Sequence, residues 1–188
     1  MPPRVQFLLA QDRATQQWRD GGGTTAQVAI EPRRATIENF DWRVSIATVD
    51  GEAQFSRYPG VTRWLMPLST GGMTLRVEGE VMHLAGREAF AFGGEASVSA
   101  TRIKQPQLDL NLMIRKQVAR GSLVALVWAG ASELSTAKNE SAVIVVLDGA
   151  ISIDDWDLGP LDAVQLVQKS RLIVSGNGVV AVARIARH

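Results

Sequence analysis

The chain has 188 residues, of which 46% are hydrophobic, a share that suits a packed globular protein and argues against disorder. Lysine and arginine total 20 against 19 acidic residues, so the net charge of +1 lacks the basic excess of a nucleic-acid-binding protein. The absence of cysteine excludes disulfides, iron–sulfur clusters and thiolate metal sites. No apolar run approaches the length that crosses a bilayer, and the opening segment lacks a secretory pattern. These features predict a cytoplasmic protein that binds neither nucleic acid nor membrane.

The first unusual segment is WRDGGGTT, which runs from Trp18 to Thr25 and contains three consecutive glycines. Glycine loses more backbone freedom on folding than any other residue, so this run indicates special backbone angles or a close approach to the main chain. The spacing matches neither a P-loop nor a dinucleotide-binding fingerprint. Two interpretations stay open: a tight turn, or a set of backbone N–H donors able to hold a small anion.

The rest of the chain is dominated by the period-two alternation of short strands, and only residues 10–18 or 162–170 suit a turn or two of helix. Asp50-Gly51, Gly79 and Asp148-Gly149 each lie between two such runs and predict hairpin turns. Many short strands at fairly regular spacing indicate an all-β sandwich or barrel.

The stretch ATRIKQP, residues 100–106, interrupts the strand pattern. We expect a boundary there between an N-terminal β-unit, residues 1–105, which holds the ligand pocket, and a C-terminal β-unit, residues 106–188.

Two predicted strands carry a mixed polar face opposite an aliphatic one. The mixed faces comprise Arg43, Ser45, Ala47 and Val49 on one strand and Asp109, Asn111, Met113 and Arg115 on the other. Charge, amide and apolar groups together are typical of the interior of a small barrel that holds a ligand. The alternative is a face that points at water, where the charges form weak surface pairs.

Three arginines, Arg43, Arg63 and Arg115, lie beside residues that we expect to be buried. An arginine on an inward face can clamp a carboxylate with two parallel hydrogen bonds. For each arginine alone, a solvated charge remains the alternative.

No catalytic residue, metal site or cofactor is predicted. The two histidines, His83 and His188, are too few for a three-histidine site, and no loop has the oxygen-rich spacing of a calcium site. A G-x-S-x-G nucleophile elbow is absent as well. Support for an enzyme is therefore weak.

Several segments together resemble the HutD/Ves family. In the family's order they are WRDGGGTTAQVAIEP, FDWRVSIATVDGEAQFSRYPGVTRWLMPL, FGGE and DLNLMIRK, at residues 18–32, 40–68, 92–95 and 109–116. Beyond about Lys116 only the pattern of short strands matches. The family usually reads W-[RK]-N-G-G-G, whereas Asp20 stands here in place of the asparagine. A carboxylate at that position would repel an acidic ligand if it faces the site.

The resemblance implies a bicupin, that is, two cupin-like β-barrel or jelly-roll halves in one compact chain, without a requirement for metal. Some family members lie in histidine-utilisation operons, and the resemblance to them implies a regulatory protein that binds N-formyl-L-glutamate and limits operon expression. From the Ves branch it implies a link to environmental stress without a clear activity.

Residues and resemblance together predict a regulatory protein that binds a small anionic metabolite, with N-formyl-L-glutamate as the candidate ligand. The glycines offer N–H donors, the arginines hold carboxylates, Ser45 and Asn111 bind an amide or formyl oxygen, and Trp18 forms an apolar wall. The predicted ligand-binding residues are Trp18, Asp20, Gly21, Gly22, Gly23, Thr24, Arg43, Ser45, Arg63, Asn111 and Arg115.

Three alternatives stay open. The first is a metal-independent cupin enzyme that acts on a small organic acid, with Asp20 or Asp109 as general base. The second is a stress-related protein of the Ves type, and the third is an interaction protein with exposed β-edges. The oligomeric state also stays open, and a homodimer is one possibility.

Overall fold

The computed structural model describes residues 4–19, 21–154 and 156–188. These residues form sixteen strands and one short 3-10 turn, Ala10–Asp12, so the all-β prediction is confirmed. Within these ranges no helix combines the length and the apolar character needed to span a membrane. The strands are β1 (Val5–Leu8), β2 (Thr15–Gln17), β3 (Gly23–Glu31), β4 (Trp42–Val49), β5 (Ala53–Gln54), β6 (Val61–Pro67), β7 (Met73–Val77), β8 (Glu80–Leu84), β9 (Phe90–Gly93), β10 (Val98–Ala100), β11 (Gln107–Arg115), β12 (Ala119–Ser135), β13 (Glu140–Ile153), β14 (Trp156–Leu158), β15 (Ala163–Val167) and β16 (Arg171–Arg187).

The chain divides into two units that do not follow the expected boundary at residues 105 and 106. One unit is Ala14–Val118, and the other joins Met1–Arg13 to Ala119–His188. The difference arises because β11 lies between β4 and β6 in a sheet of the first unit, so that unit continues past the loop at residues 100–106. Strand β1 pairs with β15, which draws the start of the chain into the second unit.

The Ala14–Val118 unit contains two antiparallel sheets. The larger has six strands in the order β2-β3-β4-β11-β6-β9, and the smaller has four in the order β5-β10-β7-β8. A hydrophobic core joins residues from both sheets, among them Val49 and Leu65 from the larger and Leu75 and Val98 from the smaller. Val49 belongs to the mixed face of β4, and Leu65 lies directly opposite Asn111 of β11, so this core borders the face that holds the candidate site. The other face of β4 and β11 is aliphatic and buried, as expected.

The second unit is built on a sheet in the order β1-β15-β13-β16-β12, with β14 paired to β13. Its aliphatic side chains form a separate core that includes Ile144, Val164, Val174 and Val182, all of them at most 2% exposed. The segment 162–170, which also suited a short helix, contains β15 instead.

One of the three predicted hairpins is formed as expected. Strands β7 and β8 pair across Glu78 and Gly79, whose φ angles of 48° and 93° suit a two-residue hairpin turn. The Asp50-Gly51 prediction is wrong because β5 leaves β4 and pairs with β10.

The Asp148-Gly149 prediction is also wrong, since both residues lie within the single long strand β13. The pairing with β16 shifts register between Val146 and Asp148. Gly149 has φ +85°, and a Cβ there would lie 2.4 Å from the carbonyl oxygen of Asn177. This glycine thus permits a bulge with a close backbone approach instead of a turn.

Candidate functional site

The larger sheet of the Ala14–Val118 unit carries a set of polar side chains on one face, which we call the polar face: Arg43, Ser45, Arg63, Asp109 and Asn111. In the ladder, Asn111 of β11 lies directly opposite Ser45 of β4, and directly opposed residues of antiparallel strands share a face. Ser45, Arg63, Asp109 and Asn111 are each no more than 6% exposed. The polar face is therefore enclosed, and the alternative of a face in water is wrong for these four residues.

Arg63 is the most confined cation of this face. Its Nη1 donates to the carbonyl oxygen of Ser56 at 3.0 Å, and its Nη2 donates to Oδ1 of Asn111 at 3.3 Å. Its Nε is buried and has no hydrogen-bond partner among the described residues. Burial lowers the pKa of Arg63, while the nearby Asp109 opposes that shift.

Three aromatic rings surround the Arg63 guanidinium. Its central carbon lies 5.7 Å from the ring centroid of Phe55, 5.7 Å from that of Tyr58 and 5.1 Å from that of Phe92. Such cation–π contacts fix the plane of the guanidinium and replace part of its lost hydration. Arg63 is thus held in place, while its Nε–H lacks a hydrogen-bond partner among the described residues.

Asp109 and Asn111 extend this arrangement along β11. Asn111 Nδ2 donates to Oδ1 of Asp109, so Asn111 bridges the guanidinium of Arg63 and the carboxyl of Asp109. The other oxygen, Oδ2, is buried without a partner in the described part of the chain. Burial raises the pKa of Asp109 to about 7, against the opposing effects of the Asn111 hydrogen bond and the Arg63 charge. A protonated Asp109 leaves the arginine charge uncompensated.

Arg43 is half-buried at the border of the polar face. Its Nε donates to Oε1 of the exposed Gln27 at 3.3 Å. Burial lowers its pKa, and the proximity of Arg43 contributes to the lowered pKa of Arg63. Two like charges, one buried and one half-buried, therefore lie on the same face of the sheet, which is the electrostatic setting of an anion site.

Trp18 and the glycine run make a tight structural turn. The backbone N–H of Trp18 donates to the carbonyl of Gly23 at 2.9 Å, and Gly21 N–H donates back to Trp18 at 3.2 Å. A Cβ on Gly23 would lie 2.3 Å from the Thr48 carbonyl oxygen and 3.1 Å from the Trp18 ring. The close approach at Gly23 thus comes from this chain's own indole and backbone, and the N–H of Gly21 is engaged within the turn.

The remaining predicted residues fall around this turn or away from the polar face. Gly22 accepts from Asp50 N–H at 3.0 Å, while Asp20 lies outside the described residues. Thr24 pairs opposite Thr48, on the other face of β3 from the polar face. The Trp18 ring packs edge-on against Phe55 at 6.1 Å, and through that ring it adjoins Arg63.

Arg115 is bound to a neighbouring loop. Its Nε donates to the Phe40 carbonyl at 2.6 Å, Nη2 donates to the Glu38 carbonyl, and the guanidinium lies 5.2 Å from the Phe40 ring centroid. These contacts hold residues 38–40 and engage Nε and Nη2 of Arg115, the arginine that was expected to hold a ligand carboxylate.

The aromatic cage of Phe55, Tyr58 and Phe92 was not predicted. Phe92 lies opposite Arg63 in the β6–β9 ladder, and Phe55 and Tyr58 come from the loop that precedes β6. The segment FGGE, which begins at Phe92, was the one feature of the sequence that pointed to this part of the cage. The sequence alone does not show that Phe92 lies beside Arg63, because that proximity arises from the pairing of β6 with β9. No group of three or more potential metal ligands occurs within residues 4–19, 21–154 and 156–188.

Comparison with known proteins gives a consistent assignment. The family model described as HutD matches residues 10–183. An uncharacterized 21.2 kDa protein in the hutC 3' region of Pseudomonas putida is 34% identical over 121 residues, which cover 64% of this chain and 63% of that relative. Protein Ves of Citrobacter koseri is 32% identical over 144 residues, covering 76% of this chain and 70% of the relative.

Solved structures show the same fold. HutD from Pseudomonas fluorescens has a TM-score of 0.84 at 23% identity, over 98% of this chain and 99% of that chain. The bacterial pirin YhhW from Escherichia coli, solved in complex with nickel(II), has a TM-score of 0.71 at 8% identity, over 97% and 99% of the two chains. The latter likeness concerns the cupin-like fold alone. The chain belongs to the HutD/Ves family.

Proposed function

We propose that this chain is a binding protein for a small carboxylate metabolite, which it holds at the polar face. The observation that carries the proposal is Arg63, which is 6% exposed and retains an unpartnered Nε among the described residues while Arg43 adds a second positive charge. Asp109 is the carboxyl near this guanidinium, and whenever it is protonated the buried positive charge lacks a compensating anion, which is costly. A bound carboxylate would supply that anion and accept a hydrogen bond from the Nε–H of Arg63.

The chemistry of the polar face favours a ligand with a second polar group. Arg63 and Arg43 suit carboxylate groups, and the buried Ser45 and Asn111 lie opposite each other beside them. N-formyl-L-glutamate has two carboxylates and a formyl oxygen, which matches this set. The P. putida relative is named for its place beside hutC, which supports a role of ligand binding in the expression of histidine-utilisation genes.

Isothermal titration tests the ligand directly. We expect N-formyl-L-glutamate to bind with measurable heat at millimolar ligand, and the Arg43→Ala variant to bind at least about tenfold more weakly, the scale of one charge-assisted contact. Arg33→Ala is the matched control, because Arg33 is an exposed loop arginine and its removal leaves the polar face intact.

Two negative outcomes have different meanings. Binding of L-glutamate or glutarate with the same arginine dependence would contradict the formyl ligand but keep the carboxylate class. No heat from any member of this panel with folded protein, or equal losses in Arg43→Ala and Arg33→Ala, would contradict the carboxylate site itself.

One observation favours a metal-independent enzyme as the second candidate. Asp109 has a buried, unpartnered Oδ2 within the described chain and a pKa of about 7, the range in which a carboxylate acts as a general base near neutral pH. Incubation of the protein with the same acids, followed by product analysis, tests it. Turnover by wild type that is lost in Asp109→Asn would support this candidate, and binding without turnover would contradict it.

A further inference from the structure

Two buried polar atoms of the polar face lack hydrogen-bond partners among the described residues, namely Nε of Arg63 and Oδ2 of Asp109. Asp109 is fully buried, and its directly opposite neighbours in the ladder are Ala47 of β4 and Pro67 of β6. Neither of those side chains can donate or accept a hydrogen bond. Because a buried polar atom without a partner is costly, Oδ2 of Asp109 is suited to contact a group that enters the polar face.

Asn111 joins these two residues into one network. Its Oδ1 accepts from Nη2 of Arg63 at 3.3 Å, and its Nδ2 donates to Oδ1 of Asp109. Since Oδ1 of Asp109 accepts a hydrogen bond, a proton bound by this carboxyl resides on Oδ2, where it can be donated to a ligand oxygen. In its ionised form the same carboxyl compensates the charge of Arg63. The ionised Asp109 and a ligand carboxylate therefore compete for one guanidinium.

We propose that Asp109 couples ligand binding to the uptake of one proton: its carboxyl is neutral in the complex, and its Oδ2–H donates a hydrogen bond to an oxygen of the bound carboxylate metabolite. The inference rests on the proposed function and adds a further binding residue and a dependence on pH. When binding starts from the ionised carboxyl, one proton from solvent joins Oδ2, and the ligand replaces Asp109 as the anion beside Arg63. Asp109 and the ligand carboxylate then hold one proton between them, as two carboxyl groups in one enclosed site do.

The electrostatic setting of Asp109 permits this exchange of anions. Burial raises its pKa to about 7, whereas the hydrogen bond from Asn111 and the charge of Arg63 oppose that shift. A ligand anion beside Arg63 offsets the charge of the arginine and repels an ionised Asp109. The pKa of Asp109 therefore rises further in the complex, and the complex binds a proton that the free protein releases above about pH 7.

Few groups near Asp109 can change their charge. The charged or titratable side chains that face this surface from neighbouring elements are Arg63 of β6, Arg43 of β4 and Tyr58 of the loop before β6. The smaller sheet contributes aliphatic side chains to the adjoining core, namely Leu75, Leu84 and Val98. Because arginine and tyrosine ordinarily titrate well above neutral pH, Asp109 is the member of this group that is expected to titrate near pH 7.

Titration calorimetry in buffers of different ionisation enthalpy counts the protons that accompany binding. N-formyl-L-glutamate is titrated at about pH 6.5 and about pH 8.5, where both of its carboxylates are ionised. We expect little proton uptake at the lower pH, where Asp109 already holds its proton, and uptake close to one proton at the higher pH. The dissociation constant should rise about tenfold or more between the two, because the ionised Asp109 must first be protonated.

Two substitutions separate the proton from the hydrogen bond. Asp109→Asn is permanently neutral and offers an N–H donor in place of Oδ2–H. We expect this variant to bind without proton uptake and with the same dissociation constant at both pH values. Asp109→Leu has no donor, so its dissociation constant at about pH 6.5 should exceed that of wild type by about tenfold.

His83→Gln is the matched control for protons bound elsewhere. Histidine is the residue type that ordinarily titrates near neutral pH, and His83 is exposed on β8, outside the polar face. This variant should keep the proton uptake and the pH dependence of wild type. Difference infrared spectroscopy provides a direct readout of the carboxyl itself. At about pH 8.5, the ligand should produce the C=O stretch of a protonated carboxyl in wild type but not in Asp109→Asn.

The outcomes distinguish this inference from the proposed function. Ligand binding without proton uptake, equal uptake by wild type and Asp109→Asn, or an undiminished affinity of Asp109→Leu would overturn the role of Asp109 and keep the carboxylate site. Proton release on binding would also overturn it, because Asp109 would then be ionised in the complex. If glutarate binds in place of N-formyl-L-glutamate, the same measurements and criteria apply to glutarate. No heat from either acid or from L-glutamate, with folded protein, would overturn both proposals.

Discussion

Arg43 of β4 and Arg63 of β6 both lie directly opposite Met113 of β11, the strand between them. The ladder therefore places two guanidinium-bearing residues in one row on the same face of the sheet. Burial lowers the pKa of both arginines, and the charge of Arg43 lowers that of Arg63 further. The fold maintains this repulsion in its interior, which is the physical reason to assign the polar face to an anion.

Arg63→Lys should weaken ligand binding in addition to its effect on stability. Lysine keeps a positive charge near the rings of Phe55, Tyr58 and Phe92 but lacks Nε–H and the planar fork. We expect ligand affinity to fall by about tenfold or more, and the melting temperature to fall as well, because lysine cannot replace both the Ser56 and the Asn111 hydrogen bond. Titration calorimetry and thermal unfolding check the two parts. A large fall in melting temperature with unchanged affinity would make Arg63 a structural residue only.

Asp109 should make stability depend on pH. Its native pKa is about 7, raised mainly by burial, against an ordinary value of about 3.9 in the unfolded chain. Between these values the native state keeps a proton that the unfolded state has released. The stabilising effect of that proton is therefore complete below about pH 4 and is lost as the pH rises through about 7.

Asp109→Asn removes this titration. Relative to wild type, its free energy of unfolding should rise between pH 4 and pH 8 by a few kcal/mol, since one pKa unit corresponds to about 1.4 kcal/mol. Urea unfolding across this range measures the difference. If the free energy of unfolding of the two proteins changes with pH in the same way, the prediction that Asp109 is a buried carboxyl that keeps its proton up to about pH 7 is contradicted.

Gly23→Ala should destabilise the Ala14–Val118 unit. The new Cβ would lie 2.3 Å from the Thr48 carbonyl oxygen and press on the Trp18 ring, so the turn must shift. A loss of about 1–3 kcal/mol in the free energy of unfolding is expected. Gly51→Ala is the control, because no heavy atom lies within 4 Å of its Cβ position and it should change stability by less than about 0.5 kcal/mol. Equal effects in urea unfolding would show that Gly23 has no special packing role.

Arg115→Ala should lower stability and leave ligand binding intact. The substitution removes the donors to the carbonyls of Phe40 and Glu38, at a cost of about 1–3 kcal/mol in the free energy of unfolding. Denaturant unfolding and calorimetry with the same ligand check both parts. If Arg115→Ala keeps full stability but binds the ligand more weakly, this prediction is wrong and Arg115 contacts the ligand.

Local patterns in the sequence were sufficient to predict the strands and the polar face of β4 and β11, because alternation within a strand determines which residues share a face. Pairing between distant strands was not accessible in this way. The Asp50-Gly51 turn looked like a hairpin, yet β5 joins another sheet, and the Phe92 ring reaches Arg63 only through the β6–β9 ladder. The glycine run indicated a close approach to the main chain, but the groups that approach it, the Thr48 carbonyl oxygen and the Trp18 ring, are identified only in the folded structure.

In the proposed complex, a ligand carboxylate accepts a hydrogen bond from the Nε–H of Arg63. Nitrogen–proton correlation NMR of the arginine Nε–H groups tests it most directly, with the Arg63 signal assigned by its absence in Arg63→Lys. Saturation with N-formyl-L-glutamate should move that signal downfield, as a new charge-assisted hydrogen bond forms. An Arg63 Nε–H signal that stays in place while the ligand demonstrably binds would contradict the claim.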